Sequence, residues 1–96
     1  MEIMKEAIAG TLESSDLLVK VSPASTHDIV VNSAVFKQFG KQIIRVVTAT
    51  LDELSISTGS IVIEDKGALD CIIRARVQTA VLRGCGSEDL NWEKLS

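Results

Sequence analysis

The chain has 96 residues, 46% of them hydrophobic and 24% charged, and a net charge of −3. That length predicts one domain, residues 1–96, with one modest core, and the balance is ordinary for a globular protein. A mildly acidic chain with 3% aromatic residues and no Tyr speaks against nucleic-acid binding, which needs a basic surface or a base-stacking platform.

Taken in order, residues Ala7 to Glu13 and Leu17 to Ser22 flank the tetrapeptide Glu13-Ser14-Ser15-Asp16. Leu17, Val19 and Val21 alternate with Leu18 and Lys20, the period of two expected of a half-buried strand. Small polar residues between two such runs predict a hairpin turn with Ser14 at its tip. Pro23 ends the second strand, because it has no ladder donor. Asp28 to Val31 predicts a third strand. Asn32 or Ser33 then supplies a helix-start signal. Beyond it Phe36, Phe39, Ile43, Val46, Val47, Thr50, Leu51 and Leu54 fall on one helical stripe. Gly40 interrupts that helix at a cost of about 1 kcal/mol relative to Ala, which marks either a close contact or a kink. Ser60 to Glu64 predicts a fourth strand, and Gly67 opens a second helix whose stripe is Leu69, Ile73, Val77, Ala80 and Val81. Gly84 is a fitting stop for it, and Asp70 and Arg74 stand in the favourable order for an ion pair four residues apart. The order β-β-β-α-β-α predicts an α+β fold: a two-layer sandwich, its mostly antiparallel sheet carrying both helices on one face. The link from the third strand through the long helix to the fourth fits a right-handed crossover.

The apolar runs are too short to cross a bilayer, and the N-terminus carries charges where a signal peptide needs an apolar segment. The expectation is a cytoplasmic protein that does not engage membranes. Catalytic groups are sparse. His27 is the only histidine and reads as a solvated loop residue. Glu64, Asp65 and Asp70 suit the dipole at the start of the second helix. Cys71 and Cys85, fourteen apart, offer too few ligands for zinc. They read as small buried hydrophobes rather than nucleophiles, with Cys71 on the apolar face of its helix. Ser14 has no neighbouring base, so it is a poor nucleophile, and by residue type alone it is an ordinary turn serine. Catalytic and metal-binding residues are therefore not expected in this chain, and a reactive group has to come from elsewhere.

The run Gly10-Thr11-Leu12-Glu13-Ser14 resembles the attachment motif of the citrate lyase acyl carrier proteins (gamma chains). The resemblance continues in register through Phe39-Gly40, Asp65-Lys66-Gly67-Ala68-Leu69-Asp70-Cys71, Arg74-Ala75-Arg76 and Trp92-Glu93, nearly the whole chain. It implies covalent attachment of 2'-(5''-phosphoribosyl)-3'-dephospho-CoA to Ser14, with Ser15 as the alternative acceptor. A chain made without its modifying enzymes is expected to be apo. The Asp-Ser-Leu signature that heads a helix in fatty-acid carrier proteins is missing, so their four-helix fold is not expected.

A non-catalytic carrier is what the resemblance implies. Its arm would hold acetyl and citryl thioesters while citrate is cleaved to acetate and oxaloacetate. The implied partners are the alpha (transferase) and beta (lyase) subunits and a prosthetic-group transferase. Lys66, Arg74 and Arg76 are candidates for contacts to cofactor phosphates or an acidic partner, against their reading as solvated charges. Trp92 is a candidate anchor for the C-terminal tail, to the body or to a partner. The alternatives are the carrier subunit of malonate decarboxylase, which uses the same kind of group, and an unmodified protein-interaction domain.

Overall fold

The computed structural model describes residues 2–86; Trp92 and Glu93 lie outside them. Six elements follow in chain order: β1 (Ala7–Gly10), β2 (Leu17–Ser22), β3 (His27–Ser33), α1 (Phe36–Glu53), β4 (Gly59–Asp65) and α2 (Asp70–Gly84). The fold is α+β in the predicted order, with strands arranged β1-β2-β4-β3. Two of the three pairings are antiparallel, β1 with β2 and β2 with β4. The third, β3 with β4, is parallel and is joined through α1, the crossover that the order of elements predicts.

Alternation decides which side of the sheet is covered. Leu17, Val19 and Val21 on β2 and Ile61 and Ile63 on β4 are fully buried, and they share one face. Ile43, Val47 and Leu51 of α1 and Ile73, Val77, Ala80 and Val81 of α2 close over that face in a single core. Thr50 is buried among them, with its hydroxyl donating to the Val46 carbonyl at 2.7 Å.

Several local expectations fail for identifiable reasons. Asn32 and Ser33 do not cap α1: parallel pairing with Glu64 and Asp65 holds both in β3, and the helix starts at Phe36 with Val35 uncapped before it. Phe36 and Phe39, placed on the buried stripe, are 46% and 49% exposed, since the core side of α1 begins only near Ile43. Gly40 is a close contact, because a Cβ there would lie 2.8 Å from the Phe36 ring. Gly67 does not open α2; it turns at φ +91°, and Leu69 precedes the helix in extended conformation, 71% exposed. Gly84 is no left-handed stop but the last residue of α2. Its carbonyl accepts the Met4 and Lys5 amides at 2.8 and 3.0 Å, and a Cβ there would stand 2.8 Å from Val21 Cγ2.

Candidate functional site: the β1–β2 loop

Ser14 is exposed in the loop between the antiparallel strands β1 and β2. Among the described residues its hydroxyl takes no hydrogen bond, whereas the residues around it are held on all sides. Asp16 is the hub. Its Oδ2 accepts the Thr11 hydroxyl at 2.8 Å, and its Oδ1 accepts the amide of Leu17 at 2.8 Å. From α2, Arg76 reaches both oxygens at 3.1 Å through Nε and Nη2, a bidentate charge-assisted pair. These contacts, the Arg76 hydrogen bond foremost and the Leu17 amide next, lower the Asp16 carboxyl from 3.8 to about 2.

Backbone bonds complete the loop. The Thr11 amide donates to Leu17 O at 3.1 Å and the Asp16 amide to Glu13 O at 3.2 Å. Across to the turn after β4, Ser15 N–H donates to Lys66 O at 2.8 Å and Lys66 N–H to Asp16 O at 2.9 Å. Ser15 adopts φ 65°, a left-handed conformation that costs a non-glycine residue roughly 1–2 kcal/mol. The strain is tolerated because Lys66 clamps the amide. Ser14 therefore projects from a fixed tip.

The other residues singled out in the sequence fall into different places. Lys66 enters this network through its backbone and Arg76 through its guanidinium. Arg74 does not pair with Asp70. It forms a bidentate pair with Glu53 at the end of α1 (Nη1 to Oε1, 2.9 Å, and Nη2 to Oε2), while Asp70 accepts Gln42 Nε2 at 2.9 and 3.1 Å. Both partners sit on α1, so these contacts tie the two helices together instead of bracing one. Of the three carboxylates read as dipole partners, only Asp70 lies in the first turn of α2. Glu64 accepts Asn32 Nδ2 across the sheet at 3.0 Å. Asp65 is buried and structural: Oδ2 accepts the Ser33 hydroxyl at 2.8 Å and Oδ1 the Ala68 amide at 2.9 Å.

Cys71 is exposed rather than buried, because the buried stripe of α2 starts at Ile73, about 200° farther around the helix. Cys85 is half-buried, and that burial pushes its thiol up. His27 opens β3, exposed to solvent. What sequence reasoning missed is the role of Asp16 as the centre of the loop. A Thr five residues before an Asp was the local signal, but Arg76, sixty positions away, was not readable.

Three comparisons bear on this arrangement. A family model for acyl carrier proteins described as malonate decarboxylase delta subunit (MdcD) matches residues 4–84. The citrate lyase acyl carrier protein of Pectobacterium atrosepticum is 59% identical, covering 99% of this chain and 100% of its own. That of Haemophilus ducreyi is 53% identical, covering 99% of each. A chain in the crystal structure of a Pseudomonas malonate decarboxylase hetero-tetramer in complex with malonate shares the fold, with a TM-score of 0.71 at 20% identity, over 86% of this chain and 87% of its own. No described helix is long and apolar enough to cross a membrane. Near-full-length identity above one half, reached with Thr11 to Ser14 of the matching run exposed on the β1–β2 loop, places the chain in the family of citrate lyase acyl carrier proteins.

Proposed function

We propose that this chain is the cytoplasmic, non-catalytic carrier subunit of citrate lyase, bearing 2'-(5''-phosphoribosyl)-3'-dephospho-CoA in phosphodiester linkage on Ser14. The observation that carries the reading is a free, exposed serine hydroxyl on a loop whose neighbours are all fastened. When bound, the group supplies a terminal thiol that carries acetyl and citryl units as thioesters between a transferase and a lyase subunit.

The chain's own part is presentation. In attachment the Ser14 oxygen forms a bond to phosphorus of an activated phosphoribosyl precursor, and the bond from that phosphorus to its phosphate leaving group breaks. The hydroxyl proton leaves to the prosthetic-group transferase, since among the described residues no side chain hydrogen-bonds the Ser14 hydroxyl. Asp16, Arg76 and Lys66 hold the tip so that this transferase and, later, the alpha and beta subunits meet the arm at one place. Tethering raises the local concentration of the acyl group at both sites. The family-model description and the fold likeness to a malonate decarboxylase chain support a second reading, the carrier of that enzyme. Relatives at 53–59% identity named for citrate lyase favour the first.

The test is coexpression with the prosthetic-group synthase and transferase, followed by intact-mass measurement and peptide mapping. One group is expected on Ser14, absent from Ser14→Ala, which keeps its fold because an exposed substitution shifts stability by only about 0.5 kcal/mol. Ser15→Gly, which relieves the left-handed residue, is expected to keep the modification. A group mapped to Ser15, or lyase activity surviving Ser14→Ala, overturns the assignment.

A further inference from the structure

The attachment loop abuts a cleft. Its clamp residue Lys66 is followed directly by Gly67, Ala68 and Leu69, which form one wall of a cavity of about 620 Å³; the N-terminal half of α1 forms the other. That volume falls within the ~300–1,000 Å³ of small-molecule sites. Ile43 and Ile73 line its depth, and Phe39 and Leu69 stand 49% and 71% exposed at its mouth. Apolar side chains left this open on both sides of a cleft are costly unless something covers them. Asp65, on the floor, has both carboxylate oxygens already engaged by Ser33 and Ala68. The Gln42–Asp70 pair adds polar groups at the mouth. Counting through Ser15 and the Lys66 clamp, the Ser14 attachment point lies on the order of 10 Å from the Gly67 wall.

Resting on the Ser14 attachment proposed above, we infer that this cleft is the resting seat of the arm's acyl end, and that it takes an acetyl thioester but turns away a citryl one. The occupant is identified by position and chemistry. A group tethered at the rim reaches the cleft at high effective concentration, and a long chain with amides and a small acyl tip matches an apolar slot with a polar mouth. The citryl unit carries carboxylates, which would lose their hydration there and meet the charges of Asp65 and Asp70. The seat thus stores the acetyl thioester away from water and releases the arm when it is charged with citrate.

Methyl and amide NMR spectra of the apo, acetyl-loaded and citryl-loaded chain test this, with loading confirmed by mass. Acetyl loading is expected to shift Ile43, Ala68, Leu69 and Ile73, and citryl loading to leave them at their apo positions. A seat occupied about nine-tenths of the time slows thioester hydrolysis about tenfold. Leu69→Asp, at an exposed position and so compatible with folding, should keep the mass addition, lose the cleft shifts and hydrolyse at the unprotected rate, whereas Leu69→Met should behave as wild type. Shifts confined to residues 11–16 in a loaded chain, equal shifts with both acyl groups, or unchanged hydrolysis in Leu69→Asp would overturn the seat and leave the attachment standing. Absence of any mass addition on Ser14 would overturn both.

Discussion

Asp16 joins a local turn to a distant helix. Because Arg76, the Leu17 amide and the Thr11 hydroxyl all stabilise its charged form, its folded value of about 2 lies below the ordinary 3.8. A lowered carboxyl stabilises the fold at pH above its unfolded value, and that contribution is lost as pH falls through the folded one. The advantage of wild type over Asp16→Asn, read from thermal midpoints by circular dichroism, should therefore be constant above about pH 5 and shrink between about pH 4 and 2. A difference that does not change over that window would mean Asp16 is not held as described. At this scale the sequence was partly legible. Ser14 at an exposed turn follows from the small polar residues between two strands. The Asp70–Arg74 pair did not form, because a helical pair contributes only ~0.2–0.5 kcal/mol and α1 offered each residue a better-shaped partner. Sequence spacing shows which groups are neighbours on one helix and says nothing about the next helix.

At the scale of elements, the β1–β2 hairpin depends on Gly10. It turns at φ +95°, and a Cβ there would stand 1.9 Å from Leu17 O, the carbonyl that accepts the Thr11 amide. Gly10→Ala combines a forbidden backbone conformation with a clash against main chain, which cannot step aside. Urea unfolding should show a loss of about 2 kcal/mol or more, and a change within error would contradict this account of the loop entry. Strand β2 and the central part of α1 were legible because a period of two and a helical stripe are both set by burial on one side. The ends were not. β3 runs on through Ser33 because β4, twenty-six residues later, lies alongside it in parallel. Gly84 ends no helix by conformation; it lets α2 approach β2 and the N-terminal segment. Both are tertiary facts that no local propensity carries.

For the whole molecule, the proposed carrier role assigns the chemistry to partner subunits and leaves presentation of Ser14 to this chain. The purified chain, even with its arm attached, should not form oxaloacetate from citrate; adding the alpha and beta subunits should restore cleavage. Oxaloacetate production by the loaded chain alone, with other subunits shown absent by mass spectrometry, would refute a pure carrier role. The layered α+β architecture was legible from the order of elements. The proposal of Ser14 as the attachment site rests on the Gly10 to Ser14 motif, since turn serines are common and nothing in the physics of one distinguishes it. The cleft was invisible in the sequence, because it is formed between a helix and a turn some thirty residues apart.

The central strand of the sheet is made late. β4 lies between β2 and β3, both synthesised before it, and the Arg76 that fastens Asp16 comes eleven residues after β4 ends. A nascent chain that has emerged only as far as β3 has a β1–β2 hairpin with no third strand beside it, and an isolated hairpin is marginal in water. The Ser14 tip is then a floppy segment of an open chain, and it sharpens into a fixed target only when α2 has left the ribosome and docked. On the proposed attachment at Ser14, loading is tied to completion of the fold, so an enzyme that recognises the fastened tip would read Ser14 and the finished state of the molecule at the same time.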